Sequence, residues 1–349
     1  MARETTMLRT TETPAEREIT SPVDLCDASG NLNQDAIGWS REPLHRSNVR
    51  GHLLRKKRWN YWAVASDRYL FSATIADIDY MGLAFVYFLD FETKRFIEKT
   101  VSVPLARLPM LETVYEDVRF RHKRLSVTLK DDGANARIMA KARSFAGQPM
   151  RAEIDIVRPA GHESLNVVIP WSRDRFQFTS KQNTLPASGF VEIGGERYEF
   201  EQGKSWAVLD YGRGVWRYDT FWNWGAASGV QGGHTIGLNL GGGWTDGTGM
   251  TENGACIDGR LHKIHDDLTF DYNSSDFMRP WTVKTRGSDE VNLTFEPFFE
   301  RVAKTDLLIL KSEVHQVFGR YKGSIATNDG TRYEISDLLG WVEQHNARW

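Results

Sequence analysis

The stretch VRFRHKRLSVTLKDDGANARIMAKA, residues 118–142, contains two runs of alternating residues on either side of a turn. Apolar and polar side chains alternate in RLSVTL and again in ARIMAKA, and DDGA between them has the composition of a tight turn. Because successive side chains of a strand point to opposite faces, this stretch predicts a β-hairpin with one buried face. It decides the fold class, since the same alternation recurs along most of the chain.

The rest of the chain has the composition of short aromatic strands joined by glycine-rich turns. Runs rich in Tyr, Phe and Val occupy residues 61–78 and 82–103, and turn signals recur afterwards about every 8–12 residues. The sequence holds 12 Trp, 18 Phe, 11 Tyr and 30 Gly, whereas extended helical periodicity is scarce. We therefore predict an all-β fold of antiparallel strands.

The length of the chain predicts two domains, because 349 residues are more than one hydrophobic core normally organises. Residues 1–17 are rich in Thr, Glu and Arg and predict a disordered tail. The polar segment 172–189 contains Pro and Gly and predicts a boundary near residue 180. The expected domains are therefore 18–180 and 181–349, each an antiparallel β-barrel or sandwich.

Charge and hydropathy narrow the range of partners. The net charge is −2 with acids and bases interspersed, so we expect neither nucleic acid nor an anionic membrane as partner. The N-terminus lacks a signal-peptide pattern, and no run approaches ~18 apolar residues, so no membrane span is expected. Cys26 and Cys256 form no disulfide framework, which favours a reducing, cytoplasmic location.

The sequence motifs predict no metal and no other cofactor. The glycine run at 229–249 lacks GxxxxGK[ST], so we interpret its glycines as bends and bulges in curved strands. His262 and His265 form the best local ligand pair, yet residues three apart in a strand point to opposite faces. HExxH, CxxC and GxSxG are all absent from the sequence.

The segment DYGRGVWRYDTFWNWGAASG, residues 210–229, is exceptionally aromatic. On a strand, one face would consist of Trp216, Tyr218, Thr220, Trp222 and Trp224. The other face would consist of Arg217, Asp219, Phe221 and Asn223. The aromatic face is either core against a second sheet or the wall of a pocket for a flat ligand. Asp210 and Arg213 precede it on either side of Gly212 and are candidates to form an ion pair.

A second candidate segment is TENGACIDGRLHKI, residues 251–264. In one interpretation Asn253 caps the turn of a hairpin and the segment is structural. In the other, Glu252 and His262 lie in the mouth of a barrel as acid–base or ligand-orienting groups. The sequence leaves both interpretations open.

Several of these segments resemble one bacterial family. They are KQNTLPASG (181–189), LDYGRGVWRYDTFWNWGAASG (209–229), TENGACIDGRLHKI (251–264) and FGRYKGSIATNDG (318–330). The family is known as domain of unknown function 2804, and its name implies no activity. More distantly, the layout resembles the tandem-barrel proteins of the calycin superfamily, such as carotenoid 1,2-hydratase and tocopherol cyclase.

The distant resemblance implies two lipocalin-like barrels that hold a lipophilic ligand. In the enzymes of that group it implies protonation of an alkene without a cofactor. The hydratases carry an Asp-His-x-Trp-Gly motif, and the best match here is Phe221–Trp222–Asn223–Trp224–Gly225. This match keeps Asn-Trp-Gly but lacks the Asp and the His, so Asp219, two residues upstream, is the candidate substitute.

We therefore expect a protein that binds a small lipophilic or aromatic molecule, as a hydratase, cyclase, isomerase or lyase that works by proton transfer. Asp219 or Glu252 would donate the proton, a role that an apolar barrel favours. The substrate would be positioned by His262, Asp210, Arg213, Asn223 and Asn253. Cationic character would be stabilised by Trp216, Trp222 and Trp224. A non-catalytic carrier and a carbohydrate site remain open alternatives, and the oligomeric state is not predicted.

Overall fold

The fold is all-β, as the alternation predicts. It is known from a computed structural model that describes residues 16–307 and 310–349. Within these ranges the regular structure is strand throughout, apart from one 3-10 turn at Gln34–Ala36. No helix in the same ranges is long and apolar enough to cross a bilayer. The strands form two large curled sheets, the arrangement of tandem lipocalin-like barrels.

The first large sheet contains 13 strands, and all of its pairings are antiparallel. Its main path runs β7-β6-β5-β4-β15-β13-β11-β10-β9-β8, while β12 and β14 pair with β13, and β2 pairs with β12. Two further short strands, β1 and β3, pair with each other. The strands are β1 (Val23–Asp24), β2 (Trp39–Ser40), β3 (His45–Arg46), β4 (Lys56–Ser66), β5 (Tyr69–Asp77), β6 (Met81–Asp90), β7 (Phe96–Pro104), β8 (Val118–Arg121), β9 (Leu125–Asp131), β10 (Asn135–Phe145), β11 (Gln148–Val157), β12 (Leu165–Ser172), β13 (Arg175–Ile193), β14 (Glu196–Phe200) and β15 (Ser205–Val215).

The second sheet contains nine strands in the order β19-β18-β17-β16-β24-β23-β22-β21-β20. All of its pairings are antiparallel. The strands are β16 (Asp219–Gln231), β17 (His234–Gly242), β18 (Asn253–Ile257), β19 (Arg260–Ile264), β20 (Leu268–Asp271), β21 (Trp281–Thr285), β22 (Val291–Leu307), β23 (Leu310–Ala326) and β24 (Arg332–Arg348).

The hairpin predicted from RLSVTL, DDGA and ARIMAKA is confirmed. β9 and β10 pair from Asp131↔Ala136 to Leu125↔Ala142 without a register shift. The carboxylate of Asp132 accepts hydrogen bonds from the backbone N–H groups of Ala134 and Asn135, at 2.9 and 2.7 Å, and so fixes the turn. The alternating apolar side chains of both strands lie in the core that the 13-stranded sheet encloses. This sheet and its core are called the first half-barrel, and the nine-stranded sheet and its core are called the second half-barrel.

The chain passes from the first sheet to the second between Val215 and Asp219. The domain boundary predicted near residue 180 falls inside β13, a 19-residue strand with a register shift between Gln182 and Leu185. Of the predicted tail, residues 1–15 lie outside the described residues. Glu16 is nevertheless buried, where its carboxylate contacts Lys263 Nζ at 3.0 Å.

Two glycines of β17 let the sheets and loops approach closely. A Cβ on Gly237 would lie 2.6 Å from Asn183 Cβ, and one on Gly241 would lie 2.2 Å from Glu252 Oε1. β17 pairs with β16 in continuous register, so neither glycine occupies a bulge. The interpretation as bulges is therefore wrong for these two glycines, because the absence of a side chain is what their positions require.

Replacing Gly237 by Ala is expected to lower the free energy of unfolding by about 1–3 kcal/mol, because the new methyl group overlaps Asn183. Urea unfolding followed by tryptophan fluorescence measures the change. Gly287→Ala is the matched control, since the nearest atom to its Cβ would be 3.4 Å away, and a change within about 0.5 kcal/mol is expected. Equal losses in both variants would refute the close-approach role of Gly237.

Candidate functional site

One face of β13 is polar although it is buried. Gln177, Thr179, Lys181 and Asn183 alternate along the strand, and each is at most 6% exposed. Their side chains point away from the core of the first half-barrel, because Phe176 and Phe178 on the opposite face of the strand lie in that core. This face therefore lies against the second sheet and supplies the polar groups of the junction between the sheets.

Lys181 is the central residue of this junction. Its Nζ lies 2.9 Å from Asp210 Oδ1 on the neighbouring strand β15 and 3.1 Å from Glu252 Oε2 of the second sheet region. The same ammonium lies 4.7 Å from the ring centroid of Trp224 on β16. One buried cation thus joins two carboxylates from the two halves of the protein and an indole face.

The carboxylate of Glu252 is held by the second sheet. Trp244 Nε1 donates a hydrogen bond of 2.6 Å to Glu252 Oε1, and Asn239 Nδ2 donates one of 2.5 Å to the Glu252 carbonyl. Asn239 Oδ1 in turn accepts a 2.9 Å hydrogen bond from Trp224 Nε1. The bare backbone of Gly241 makes room for the carboxylate. These contacts fix the orientation of Glu252 toward Lys181.

Burial controls the protonation of this cluster. It raises the pKa of Glu252, and the charge of Lys181 opposes the rise only in part. Burial alone would lower the pKa of Lys181, but the carboxylates of Asp210 and Glu252 outweigh it and hold that pKa above its usual value. Lys181 therefore stays charged, while Glu252 takes up a proton more readily than a solvated carboxyl does.

A small cavity adjoins Lys181 at the junction. Its volume of about 10 Å³ is enough for one water molecule, and Asn183, Asn239 and Cys256 contribute to its wall. Nearby, Thr184 adopts a left-handed backbone with φ of 56°, which is rare for a β-branched residue. Backbone strain of this kind concentrates at ligand-binding and active sites, so its position beside the cluster is notable.

Next to the ionic cluster, six tryptophans pack around one another. Trp216 is at the centre and is 4% exposed. Its ring centroid lies 4.9–5.8 Å from those of Trp171, Trp244, Trp222, Trp59 and Trp349. Trp216 Nε1 donates a 2.7 Å hydrogen bond to Gln177 Oε1 of β13, so the tryptophan cluster and the polar face of β13 are in direct contact.

The alternation predicted that the aromatic segment is one strand, and this prediction is wrong. β15 ends at Val215 and β16 begins at Asp219, so Trp216 lies in the connection between the two sheets. Trp222 and Trp224 do share one face of β16, and Trp222 Nε1 donates a 3.0 Å hydrogen bond to Glu343 Oε1 on β24. The connection bends the chain so that tryptophans from both segments meet.

Asp219 lies apart from the buried cluster. Its side chain is 66% exposed and forms a 2.7 Å ion pair with Arg348 at the rim of an open groove of about 670 Å³. An acid in this position is solvated and not enclosed in an apolar barrel. The structure therefore corrects the expectation that Asp219 is a buried proton donor.

Arg213 and Asp210 do not pair, because they lie on opposite faces of β15. Asp210 faces the junction and contacts Lys181. Arg213 points into the first half-barrel, where it contacts Glu116 and donates a 2.7 Å hydrogen bond to Asn60 Oδ1. Arg213 thus forms a buried structural ion pair with Glu116, and its side chain does not face the junction.

The remaining candidates hold the second sheet together. Asn253 Oδ1 accepts from the Gly241 N–H at 2.7 Å and its Nδ2 donates to the Asp266 carbonyl, so Asn253 is a structural cap. Asn223 Nδ2 lies 3.3 Å from the Tyr272 hydroxyl inside the second half-barrel. His262 is half-buried on β19, and burial lowers its pKa. Among the described residues, no hydrogen bond joins His262 to the Lys181 cluster.

Sequence reasoning missed Lys181, Trp244 and Asn239 as site residues. A partial signal for Lys181 is present in RFQFTSKQNT, where Gln177 and Thr179 alternate with Phe176 and Phe178 before a wholly polar run. The polarity of the segment as a whole hides this pattern and predicts a domain boundary instead. Trp244 and Asn239 carried no pattern of their own, since they reach Glu252 only through the folding of β16 to β18.

Comparison with known proteins supports the fold and the family. The family model described as domain of unknown function (DUF2804) matches residues 16–349. Kievitone hydratase from Nectria haematococca has a similar structure, with a TM-score of 0.50, 12% identity and coverage of 94% of this chain and 98% of that one. An AttH-like protein of Nitrosomonas europaea gives a TM-score of 0.48 and 11% identity, covering 83% and 92% of the two chains. No curated protein matches the sequence.

Replacing Lys181 by Met is expected to lower the free energy of unfolding by about 3–5 kcal/mol at pH 8, because the buried Glu252 and the partly buried Asp210 lose their cation. The loss should shrink toward pH 5. Glu252 has a pKa raised by folding, so its protonated form favours the folded state and stability falls as the pH rises.

Urea unfolding at pH 5, 6.5 and 8 measures this dependence. The control is Lys204→Met, which removes an exposed ion pair to Glu201 and should change stability by less than about 1 kcal/mol. A loss for Lys181→Met that is as small as the control, or that grows toward low pH, would show that the carboxylates do not depend on Lys181.

Proposed function

The chain belongs to the family of domain of unknown function 2804, and we propose that it binds a small, largely apolar molecule between its two sheets and acts on it by proton transfer. The observation that carries this proposal is the buried Asp210–Lys181–Glu252 cluster. Taking charges out of water is costly unless they are compensated, and this cluster carries a net charge of −1 when all three groups are ionised. Such an arrangement favours one bound proton.

Glu252 is the proposed proton donor and acceptor. Burial raises its pKa, so Glu252 holds a proton more readily than a solvated carboxyl does. Lys181 stays charged beside it and stabilises the carboxylate that remains after the proton has left. Asp210 holds the ammonium from the other side and thereby keeps Lys181 in position. In this division of labour only Glu252 changes its protonation state.

The surroundings of Glu252 favour an apolar reacting group that gains positive charge when it accepts a proton. Trp224 faces the cluster, and Trp244 donates its N–H to the carboxylate. Indole faces stabilise positive charge, such as that which develops when a carbon–carbon double bond is protonated. Two acids that converge on an aromatic junction favour an enzyme over a carrier with a single polar anchor. Hydration, elimination, cyclisation and isomerisation all use this proton-transfer step.

Ligand binding must be accompanied by movement of side chains. The cavity beside Lys181 has room for about one water molecule, and the indoles of the tryptophan cluster fill the adjacent space. Side-chain rearrangements of this kind are common when ligands and partners bind. Trp171 and Trp349 are only partly buried, so they are the proposed gate through which a ligand reaches Trp216.

Native mass spectrometry of the protein purified from its own host is expected to show a bound small molecule that is flat, apolar and poor in hydroxyl groups. Organic extraction and high-resolution mass analysis would identify it. A co-purifying sugar would refute this proposal and favour the carbohydrate alternative, in which tryptophan faces stack on sugar rings.

With the co-purified molecule as substrate, Glu252→Gln is expected to lower turnover by about 10²–10⁴-fold, because the amide cannot donate the proton. Ligand affinity should change little, since Gln keeps the size of the side chain. Asp219→Asn is the matched control and should leave both turnover and affinity unchanged, because Asp219 is exposed. Intact ligand binding by a wild-type protein that shows no conversion under any condition would favour the carrier.

A further inference from the structure

Two loops at one end of the first sheet expose leucines. Leu53 and Leu54 precede β4 and are 68% and 52% exposed, whereas Leu105 and Leu111 follow β7 and are 80% and 55% exposed. Isolated exposed leucines are common, but four of them on two neighbouring loops are not. These loops, residues 50–55 and 104–111, are called the leucine loops below.

The strand pairing places both leucine loops at the same end. Arg58 near the start of β4 pairs with Asp77 at the end of β5. Met81 at the start of β6 pairs with Pro104 at the end of β7. The Leu105 N–H also donates a 2.8 Å hydrogen bond to the Tyr80 carbonyl in the β5–β6 turn. The two loops therefore project from one edge formed by four adjacent strand ends.

The leucine loops also carry unpaired positive charge. Arg50, Arg55 and Arg107 are exposed, and in the described part of the chain none of them forms an ion pair. The nearby acids are already occupied, since Asp79 pairs with Lys56 at 3.1 Å and Glu112 contacts Arg46 at 3.6 Å. The surface thus combines protruding aliphatic side chains with a local excess of guanidinium groups.

Two of the leucines are held in a strained backbone. Leu54 has φ of 65° and Leu105 has φ of 59°, a left-handed conformation that bulky residues rarely adopt. Glycine or asparagine would satisfy either turn at a lower conformational cost. Stability alone therefore does not account for leucine at these two tips.

We propose that the leucine loops dock the protein on an anionic lipid bilayer. The leucines would enter the interfacial region, and Arg50, Arg55 and Arg107 would bind lipid phosphates. Protruding aliphatic tips favour a bilayer over a nucleic acid, which is bound by aromatic stacking and polar contacts. The interspersed charges of the whole sequence predict no such partner. Arg50 and Arg55 flank Leu53 and Leu54 in the sequence, but only folding adds Arg107 and the second leucine loop to them.

The docking surface lies beside the tryptophan cluster. Lys57, at the base of the first leucine loop, has its Nζ 4.7 Å from the Tyr80 ring centroid and 5.4 Å from that of Trp349. Tyr218, whose carbonyl accepts a 3.0 Å hydrogen bond from the Trp349 N–H, is exposed at the same end. Tyrosine and tryptophan at this level suit a membrane–water interface. The docking proposal does not depend on proton transfer by Glu252.

Flotation of the full chain with vesicles tests the proposal. We expect binding to vesicles of phosphatidylglycerol and phosphatidylcholine, weaker binding at 0.5 M salt, and little binding to pure phosphatidylcholine. The triple variant R50A/R55A/R107A should bind roughly 100-fold more weakly, at about fivefold for each arginine. R121A/R124A/R143A, which alters three exposed arginines elsewhere on the first half-barrel, is the matched control and should bind normally.

The variant L54N/L105N separates docking from folding. Asparagine accepts a left-handed backbone, so the thermal unfolding midpoint should stay the same or rise, while vesicle binding falls at least tenfold. V157S/V230S, at exposed valines elsewhere, should retain full binding. The proposal is overturned if anionic vesicles do not bind the wild-type chain, or if L54N/L105N binds normally. Binding of single-stranded RNA in place of vesicles would overturn it as well.

Discussion

The burial of one ammonium group organises the junction of this protein. Lys181 points from the first sheet toward the second, where water is excluded, and a buried charge is tolerated only when it is paired. One partner, Asp210, comes from the neighbouring strand, and the other, Glu252, comes from the other half of the chain. The two halves must therefore meet in one register, because any shift would leave a carboxylate or the ammonium without its partner.

Close contact between the halves follows from this pairing. The Gly237 backbone lies against Asn183, the Gly241 backbone against the Glu252 carboxylate, and larger side chains at either position would hold the surfaces apart. The tryptophans complete the junction, since their large faces exclude water while their N–H groups reach Gln177 and Glu252. Glycine and tryptophan thus both contribute to the close packing of the junction. The glycines allow the two halves to approach, and the tryptophan rings exclude water from the space between them.

Much of the fold could be predicted from the sequence, because alternation is a local property. RLSVTL and ARIMAKA show their faces without reference to any other part of the chain. The candidate site was harder, because its members are brought together by pairing across the whole chain. The sequence identifies Glu252 as a candidate acid. It does not identify Lys181 as the cation beside that acid, because the polar segment that contains Lys181 predicts a domain boundary. Asp219 and Arg213 lie in the same aromatic segment as Asp210 and Trp224. Neither side chain faces Lys181, because Arg213 points into the first half-barrel and Asp219 is exposed.

An apolar ligand could reach the junction between the sheets only by passing closely packed side chains. Exclusion of bulk water from the junction raises the pKa of Glu252, but the same close packing opposes the entry of a ligand. An apolar molecule partitions into bilayers, so a protein that docks there meets its ligand at high local concentration and without crossing water. The end of the first sheet that exposes leucines also carries Lys57, which contacts Trp349 of the tryptophan cluster. Docking and ligand entry would then occur on one side of the molecule. The leucine loops would bring the protein to the bilayer that holds the ligand, and the ligand would pass from there to the junction around Lys181.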